Sequence, residues 1–474
     1  MRSRQIAAGS FSIVVLLWGQ PAAAQDDAGQ VTGLQAAFAV ESLLVDAIER
    51  AEKSVVALAI FRKSNDQLAL PGAVPEIGDI PDQFGTGVVI DRKGLILTNY
   101  HVLRTDEPVW VAVAGRRAYM RARVKGADPR SDLAVLEVLD ETGTLDLTPV
   151  TFGDAAKLKK GQIVIALGNP YAIARDGQVS ASWGIVSNLQ RKAAPEAPSD
   201  SEPTGKPTLH HYGTLIQTDA KLNLGTSGGA LVNLKGEMVG LTTSLAAVAG
   251  YEKSAGYAVP VDETFRRVVD TLKQGREVEY GFLGIGPDDL SRGDRLRGEQ
   301  GVQVANVVSG LPAAGVLFHG DVITHVNGAP LADTDGLMLE IGRQPAGSEV
   351  ELRVKRSQRH LRPKVKLAKY NVRGDKVVTT PGPQWRGLRV DFVSAHWAPT
   401  RFVSPPANCV YVTEVEENSP AWQAGLRPGN LIGQVDGQPT ATPDEFFRAV
   451  GRQRGAISIR LMDEGIERPL RTVE

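Results

Sequence analysis

Between Ser54 and Asp262 the chain runs as a succession of short β-rich segments: "SVVALAI", "GTGVVID", "GLILTNYHVL", "VWVAVA", "LAVLEVL", "QIVIALG", "ASWGIVSNL", "TLIQTDA", "GALVNL" and "EMVGLTTSL". Gly, Asp and Asn turns separate them. Many short strands punctuated in this way predict an all-β barrel or sandwich domain. The chain has 474 residues, 42% of them hydrophobic, which suffices for about three domains of roughly 100–200 residues. With 53 Lys plus Arg against 54 Asp plus Glu, the charge balance offers no reason to expect a polyanionic partner, so no nucleic acid is expected.

Two stretches break the β rhythm: 62–83, and 190–212, "QRKAAPEAPSDSEPTGKPTLHHY". Long insertions in a compact domain are either functional loops or disorder, and composition fits both. Upstream, "MRSR", an apolar run and the A-x-A site at Ala22 to Ala24 read as a secretory signal (1–24) cleaved after Ala24. The apolar run is too short for the roughly 20 residues of a spanning helix, so stable membrane insertion is not expected. Within 25–53, Ala37, Val40, Leu43, Leu44, Ala47 and Ile48 predict a helix with a broad apolar face. "VDETFRRVVDTLKQGREVEYG" reads as a helix closing a domain over 54–276, with a boundary near Glu277.

An internal repeat follows. "SGLPAAGVLFHGDVITHVNGAPL" matches "ENSPAWQAGLRPGNLIGQVDGQPT", placing Gly437 opposite Gly328, 109 residues earlier. Solenoid units repeat every ~20–50 residues, so each copy is a small domain in its own right; these span 277–370 and 385–474, joined by a linker over 371–384. The basic run "VKRSQRHLRPKVKLAK" alternates with apolar residues and reads as the solvated face of strands. Cys409, the only cysteine, rules out an internal disulfide and sits in a strand-like stretch as a buried bystander.

"KLNLGTSGGALVN" has a core that composition alone would call a linker. A serine there is a useful nucleophile only with a base in reach, a group that orients the base, and donors for an oxyanion. Of seven histidines, only His101 directly follows a strongly apolar strand, and Asp132 lies in the polar turn of "DPRSDLAVLEVL". Taken singly, a strand-end histidine and a turn aspartate are more often structural. Together, the order His101, Asp132, Ser227 is that of the chymotrypsin fold, and Gly225 and Gly228 suit a tight turn aiming the N–H groups of Gly225 and Ser227 at one point.

With "TNYHVL", "SDLAVL", "TDAKLNLGTSGGALVN", "ALGNP" and "GYAVP", the chain resembles the HtrA/DegP family of exported serine proteases, and its repeats resemble that family's PDZ domains. The resemblance implies a mainly β fold: a chymotrypsin-like double β-barrel protease domain followed by two α+β PDZ domains. It implies a serine endopeptidase with Ser227 as nucleophile, His101 as base and acid, Asp132 as the group orienting it, and Gly225 and Ser227 as the oxyanion hole. Leu222 and Leu245 map to the specificity pocket, which should take small to medium aliphatic side chains, with the neighbouring Lys221 pointing to solvent. Thr226 stands where the family commonly has asparagine, and 190–212 corresponds to a ligand-sensing loop.

By the same resemblance, C-terminal peptides would add to the first repeat at Tyr280, Gly281, Phe282, Leu283, Gly284 and Ile285. In "WRGLRV" of the second repeat Leu388 is the counterpart, with Arg389 at the position of a glycine. The first repeat is one residue short in "PAAGVLFHGD", which implies a different helix packing. The function implied is periplasmic quality control, the degradation of unfolded or misfolded exported proteins by a homotrimer or multiple of trimers. The alternative is a chaperone or scaffold with weak or conditional proteolysis. No cofactor and no metal are expected: no H-E-x-x-H occurs, and adjacent His210 and His211 would point apart on a strand.

Overall fold

The computed structural model describes residues 33–61, 75–76, 79–103, 108–116, 118–140, 143–169, 177–193, 206–243, 255–397, 405–451, 455–462 and the backbone of 467–470. A helix, α1 (Gly33–Ala51), leads in. Contacts divide the chain between Leu43 and Leu44. Of the apolar face expected on this helix, only Ala47 is buried; Val40 and Leu43 are exposed, as are Leu34 and Phe38. Alternation is too coarse a rule for a helix covered only along its last turns.

Twelve strands then build two barrels. The first comprises β1 (Val55–Ile60), β2 (Gln83–Val89), β3 (Leu95–Asn99), β4 (Val109–Ala112), β5 (Met120–Asp128) and β6 (Leu133–Val138). They pair in the order β5-β4-β1-β2-β3-β6, and β6 closes on β5. The second is a closed barrel of β7 (Ile163–Gly168), β8 (Ser180–Arg191), β9 (Leu215–Thr218), β10 (Ala230–Val232), β11 (Met238–Thr243) and β12 (Gly256–Pro260).

Strand periodicity decides which core each residue joins. Val56, Leu58 and Ile60 of β1 fill the first barrel, while Val164 and Ala166 of β7 fill the second. The outward neighbours, among them Val88, Leu97, Leu133, Ile165 and Leu167, form a third core between the barrels. Helix α2 (Glu263–Lys273), capped by Asp262 accepting from Phe265 N at 2.8 Å, adds Phe265, Val268, Val269 and Leu272 to that core. Truncating one such leucine to alanine costs about 2–5 kcal/mol. The two barrels and this helix therefore share one buried core.

The two repeats fold alike around separate cores. Asn327-Gly328 and Asp436-Gly437 both have positive φ, the geometry that closes a two-residue hairpin. The structural register differs from the one read in the sequence. Gly284 and Gly387 share φ near +80° (80° and 81°), and their carbonyls accept from Val308 N and Glu416 N at equivalent places. Ile285 pairs with Val307 as Leu388 pairs with Val415. Leu388 therefore matches Ile285, not Leu283, and the second repeat keeps the glycine; Arg389 lies on the strand, paired with Glu414 at 2.8 Å. The missing residue in the first repeat tells locally: "PAWQ" is a helix in the second copy, while the first has only turns from Ser309 to Val316.

Two features hold the repeats in place, one on the first barrel and one between the repeats themselves. In the segment read as a linker, Val377–Val378 forms a strand on β5, opposite Ala127 and Gly126. Thr379 N and Thr380 N both donate to Gly275 O at 2.9 Å. Nearby Lys369, only 3% exposed, meets Asp391 (2.9 Å), Glu277 (2.9 Å) and Glu279 (3.2 Å). Burial opposes its charge, but the three carboxylates together outweigh that and raise its pKa. No helix among the described residues is long and apolar enough to cross a membrane.

Candidate active site

β3 ends at Asn99, and a single 3-10 turn, Tyr100–Val102, presents His101. β5 and β6 are joined by a turn in which Asp132 adopts φ 54°, a left-handed conformation that aspartate tolerates better than most residues. That turn is held from below: Asp128 Oδ2 accepts from Ser131 N (2.9 Å), Ser131 Oγ (2.5 Å) and Tyr280 OH. The side chain of Asp132 is thereby aimed at His101. His101 Nδ1 lies 2.9 Å from both carboxylate oxygens, His101 N donates to Oδ1 at 3.0 Å, and Asn99 Nδ2 donates to Oδ2 at 3.1 Å.

With Nδ1–H committed to the carboxylate, Nε2 is the basic nitrogen of His101. Burial lowers the imidazole's pKa, but the charge of Asp132 and the hydrogen bond to it prevail and raise it above the ordinary histidine value. His210 is the contrasting case. It is buried, its pKa is lowered by desolvation, and Nε2–H donates to Ser131 O at 2.8 Å while Nδ1 meets Thr214 Oγ1 at 2.7 Å. His210 and His211 lie in a 3-10 turn, Leu209–Tyr212, at the end of the Pro-rich stretch. His210 supports the Asp132 turn.

Ser227 is buried in the turn before β10. Gly225 (φ 94°) and Gly228 (φ 84°) supply the left-handed backbone. Neither admits a side chain: a Cβ on Gly225 would lie 2.6 Å from Asn169 O, and one on Gly228 would collide with Thr86 O and Thr98 Oγ1. Thr226 fits in place of asparagine because its hydroxyl donates to Asn223 O at 2.7 Å and its Cβ faces Gly168. Gly228 N and Gly229 N are taken up by Thr242 O and Thr226 O. The serine's turn is thus fixed on both flanks.

The sequence reading missed the residue that brings the two halves together. Thr86 of β2 donates N–H to Ser227 O (2.9 Å) and Oγ1 to Gly225 O (2.8 Å), while Oγ1 accepts from Asn169 N (2.9 Å) and Thr86 O accepts from Thr98 Oγ1 (2.8 Å). One threonine of the first barrel thus joins the Ser227 turn of the second. Gly85 beside it has no room for a side chain either: a Cβ there would sit 2.5 Å from Val102 Cγ1, next to His101, and 3.5 Å from Ser227 O.

Leu222 is half-buried against Gly256, whose missing side chain makes room for it, and Lys221 is exposed. Leu245 lies outside the described residues, as do Ala24 and 194–205. The flanks of that last stretch clasp the first repeat: Lys192 and Lys206 each meet Asp335 at 2.8 Å.

Residues 85–241 match the family described as trypsin-like peptidase domain, and 281–367 and 411–460 each match a PDZ domain. The chain is 30% identical over 393 residues to the periplasmic serine endoprotease DegP of Salmonella typhimurium, covering 80% of this chain and 76% of that protein. It is 29% identical over 399 residues to the periplasmic pH-dependent serine endoprotease DegQ of Escherichia coli, covering 81% and 80%. A solved structure of the HtrA-type protease AlgW with tripeptide superposes with a TM-score of 0.52 at 25% identity, across 69% of this chain and 96% of that one.

Proposed function

The chain belongs to the HtrA/DegP family of serine endoproteases, and from that premise we propose that Ser227, His101 and Asp132 are its catalytic triad, acting on unfolded or misfolded exported proteins. The observation that carries this reading is the Asp132 carboxylate, which takes both the ring and the backbone N–H of His101 at 2.9 and 3.0 Å. Nε2 of His101 accepts the Ser227 proton as Oγ attacks the scissile carbonyl, and the resulting imidazolium is stabilised by Asp132. The oxyanion is received by the N–H groups of Gly225 and Ser227. His101 then passes the proton to the leaving amine, and water repeats the sequence to release the acyl group.

The specificity positions are assigned to Leu222 and Leu245, apolar residues that favour small to medium aliphatic side chains and reject charge, since an unpaired buried charge is costly. The domains are 54–276 for proteolysis, 277–370 and 385–474 for peptide capture, and 1–24 for an export signal. Peptides enter the first repeat along Tyr280–Ile285 and the second along Arg386–Leu388, in the register set by the two glycines. The assembly is a homotrimer or a multiple of trimers, without stable insertion in the membrane.

A single digest of fluorogenic casein tests the reading. Turnover should vanish in Ser227→Ala, and mass spectrometry of the wild-type products should show cleavage after Val, Ala or Leu. Equal rates for the two proteins would leave a scaffold or chaperone in place of a protease. Mass photometry of the Ser227→Ala protein with casein reports the oligomer, and a monomer would remove that part of the proposal.

A further inference from the structure

Arg130, two residues before Asp132, is among the most deeply buried side chains of the molecule at 1% exposure. Its Nε and Nη1 have no hydrogen-bond acceptor among the described residues. The guanidinium stacks on the Tyr370 ring at 3.8 Å and lies 5.4 Å from that of Tyr280. Stacking offsets part of the desolvation of a cation but leaves its N–H donors unanswered. The nearest acid does not answer them either: Asp128 is bound through Oδ2 to Ser131 and Tyr280, and its Oδ1 also lacks a partner. Burial moreover raises the pKa of Asp128, which makes it a poorer counter-charge.

The arginine lines the cleft between the Gly281–Ile285 loop and the helix Thr334–Gly342, together with Leu283, Ile285, Leu337, Met338 and Ile341. The helix end is shaped to admit it: a Cβ on Gly342 would lie 3.1 Å from Nη2. A protease-domain cation with two unanswered, buried donors thus lines the groove of the first repeat, among apolar side chains.

We infer that Arg130 completes the carboxylate site of the first repeat, so that a peptide's C-terminal carboxylate is held jointly by the Gly281–Ile285 loop and by a guanidinium from the catalytic domain. An arginine fork matches a carboxylate in two parallel bonds, which an amide cannot reproduce. The inference rests on the reading of this groove as a peptide site. Its consequence is positional. The bound chain end touches the turn 128–132, whose last residue orients His101.

The test uses the full chain carrying Ser227→Ala, which binds without cutting, and a fluorescein-labelled decapeptide ending in Ala-Ala-Val, as free acid and as C-terminal amide. Anisotropy should show the acid binding about tenfold tighter or more, and Arg130→Met should bring acid and amide within about threefold, with Arg130→Lys between. Hydrogen exchange in the same samples should show 281–285 protected by the acid, and 128–132 protected by the acid but not by the amide.

An undiminished acid preference in a folded Arg130→Met protein overturns the inference. If Arg130→Met does not fold, exchange in the Arg130 protein decides: protection of 128–132 by the acid alone supports the assignment, and equal protection by both peptides overturns it. Should both peptides protect 281–285 with equal affinity, the groove reading stands and the role of Arg130 falls. Should neither protect it, the groove reading falls and takes the inference with it.

Discussion

Replacing Asp132 by asparagine tests whether the carboxylate acts on His101 or merely fills a turn. In the structure Oδ1 receives His101 N and Nδ1, and Oδ2 receives Asn99 Nδ2. An amide has one oxygen for these donors, so its NH2 must face either His101 or Asn99. Facing His101, it forces the proton from Nδ1 to Nε2, and the nitrogen that should accept from Ser227 no longer can. In either orientation the negative charge that stabilises the imidazolium is gone. The expected fall in kcat/KM is about 10⁴-fold, equivalent to ~5.5 kcal/mol at 1.36 kcal/mol per decade.

The pH profile supplies an independent reading of the same change. Because Asp132 raises the His101 pKa against the opposing effect of burial, the wild-type acid limb should lie above the ordinary value of about 6.5, and the variant's should move to lower pH. The sign for stability follows from linkage. A group whose folded pKa is raised stabilises the fold fully below its unfolded pKa and loses that contribution as pH rises through the folded pKa. The variant should therefore lose more melting temperature at pH 5 than at pH 9. Casein turnover and thermal melts from pH 5 to 9 measure both. A loss smaller than about tenfold with an unmoved acid limb would refute the assigned role.

Thr86→Val keeps the shape but removes the hydroxyl joining Gly225 O to Asn169 N; it should lower kcat more than it raises KM and cost about 1–3 kcal/mol, measured by casein kinetics and denaturant melts. Lys369→Met leaves Glu277, Glu279 and Asp391 without their shared cation, for a loss of roughly 3–5 kcal/mol. Glu277 and Asp391 have pKa values lowered overall despite burial, so in the wild type their stabilisation is present above their unfolded pKa and lost as pH falls through the folded one. The variant's deficit by scanning fluorimetry should be full at pH 7.5 and 5 and shrink only as the pH falls below about 4, and a deficit unchanged down to pH 3 would count against the network.

The proposed triad could be named because three motifs occur in one order, and order survives in a linear text. The barrels were legible for the same reason, since each strand carries its own alternation. What escaped were pairings between distant segments that leave no local trace. Thr86 sits in "GTGVV" as an ordinary strand threonine, and only closure of the two barrels shows that it holds Gly225 and Ser227. Arg130 reads as a turn residue until the first repeat folds over it. The repeat register went astray because glycine-rich loops align by residue type, whereas the carbonyl bonds of Gly284 and Gly387 fix the true match.

The short strand Val377–Val378 bears on how far the second repeat can travel. Were 371–384 a free tether, that domain would swing from the end of the first repeat. Anchored through Thr380 to Gly275, the chain leaves the protease domain with only 381–384, Pro-Gly-Pro-Gln, before Trp385 begins the next fold, and the Lys369–Asp391 pair holds that fold to the first repeat as well. Four residues span at most about 14 Å when fully extended, and prolines stiffen that further. A peptide held by the second repeat is therefore kept close to the protease domain, at high local concentration, until both the two-residue strand and the Lys369–Asp391 pair give way.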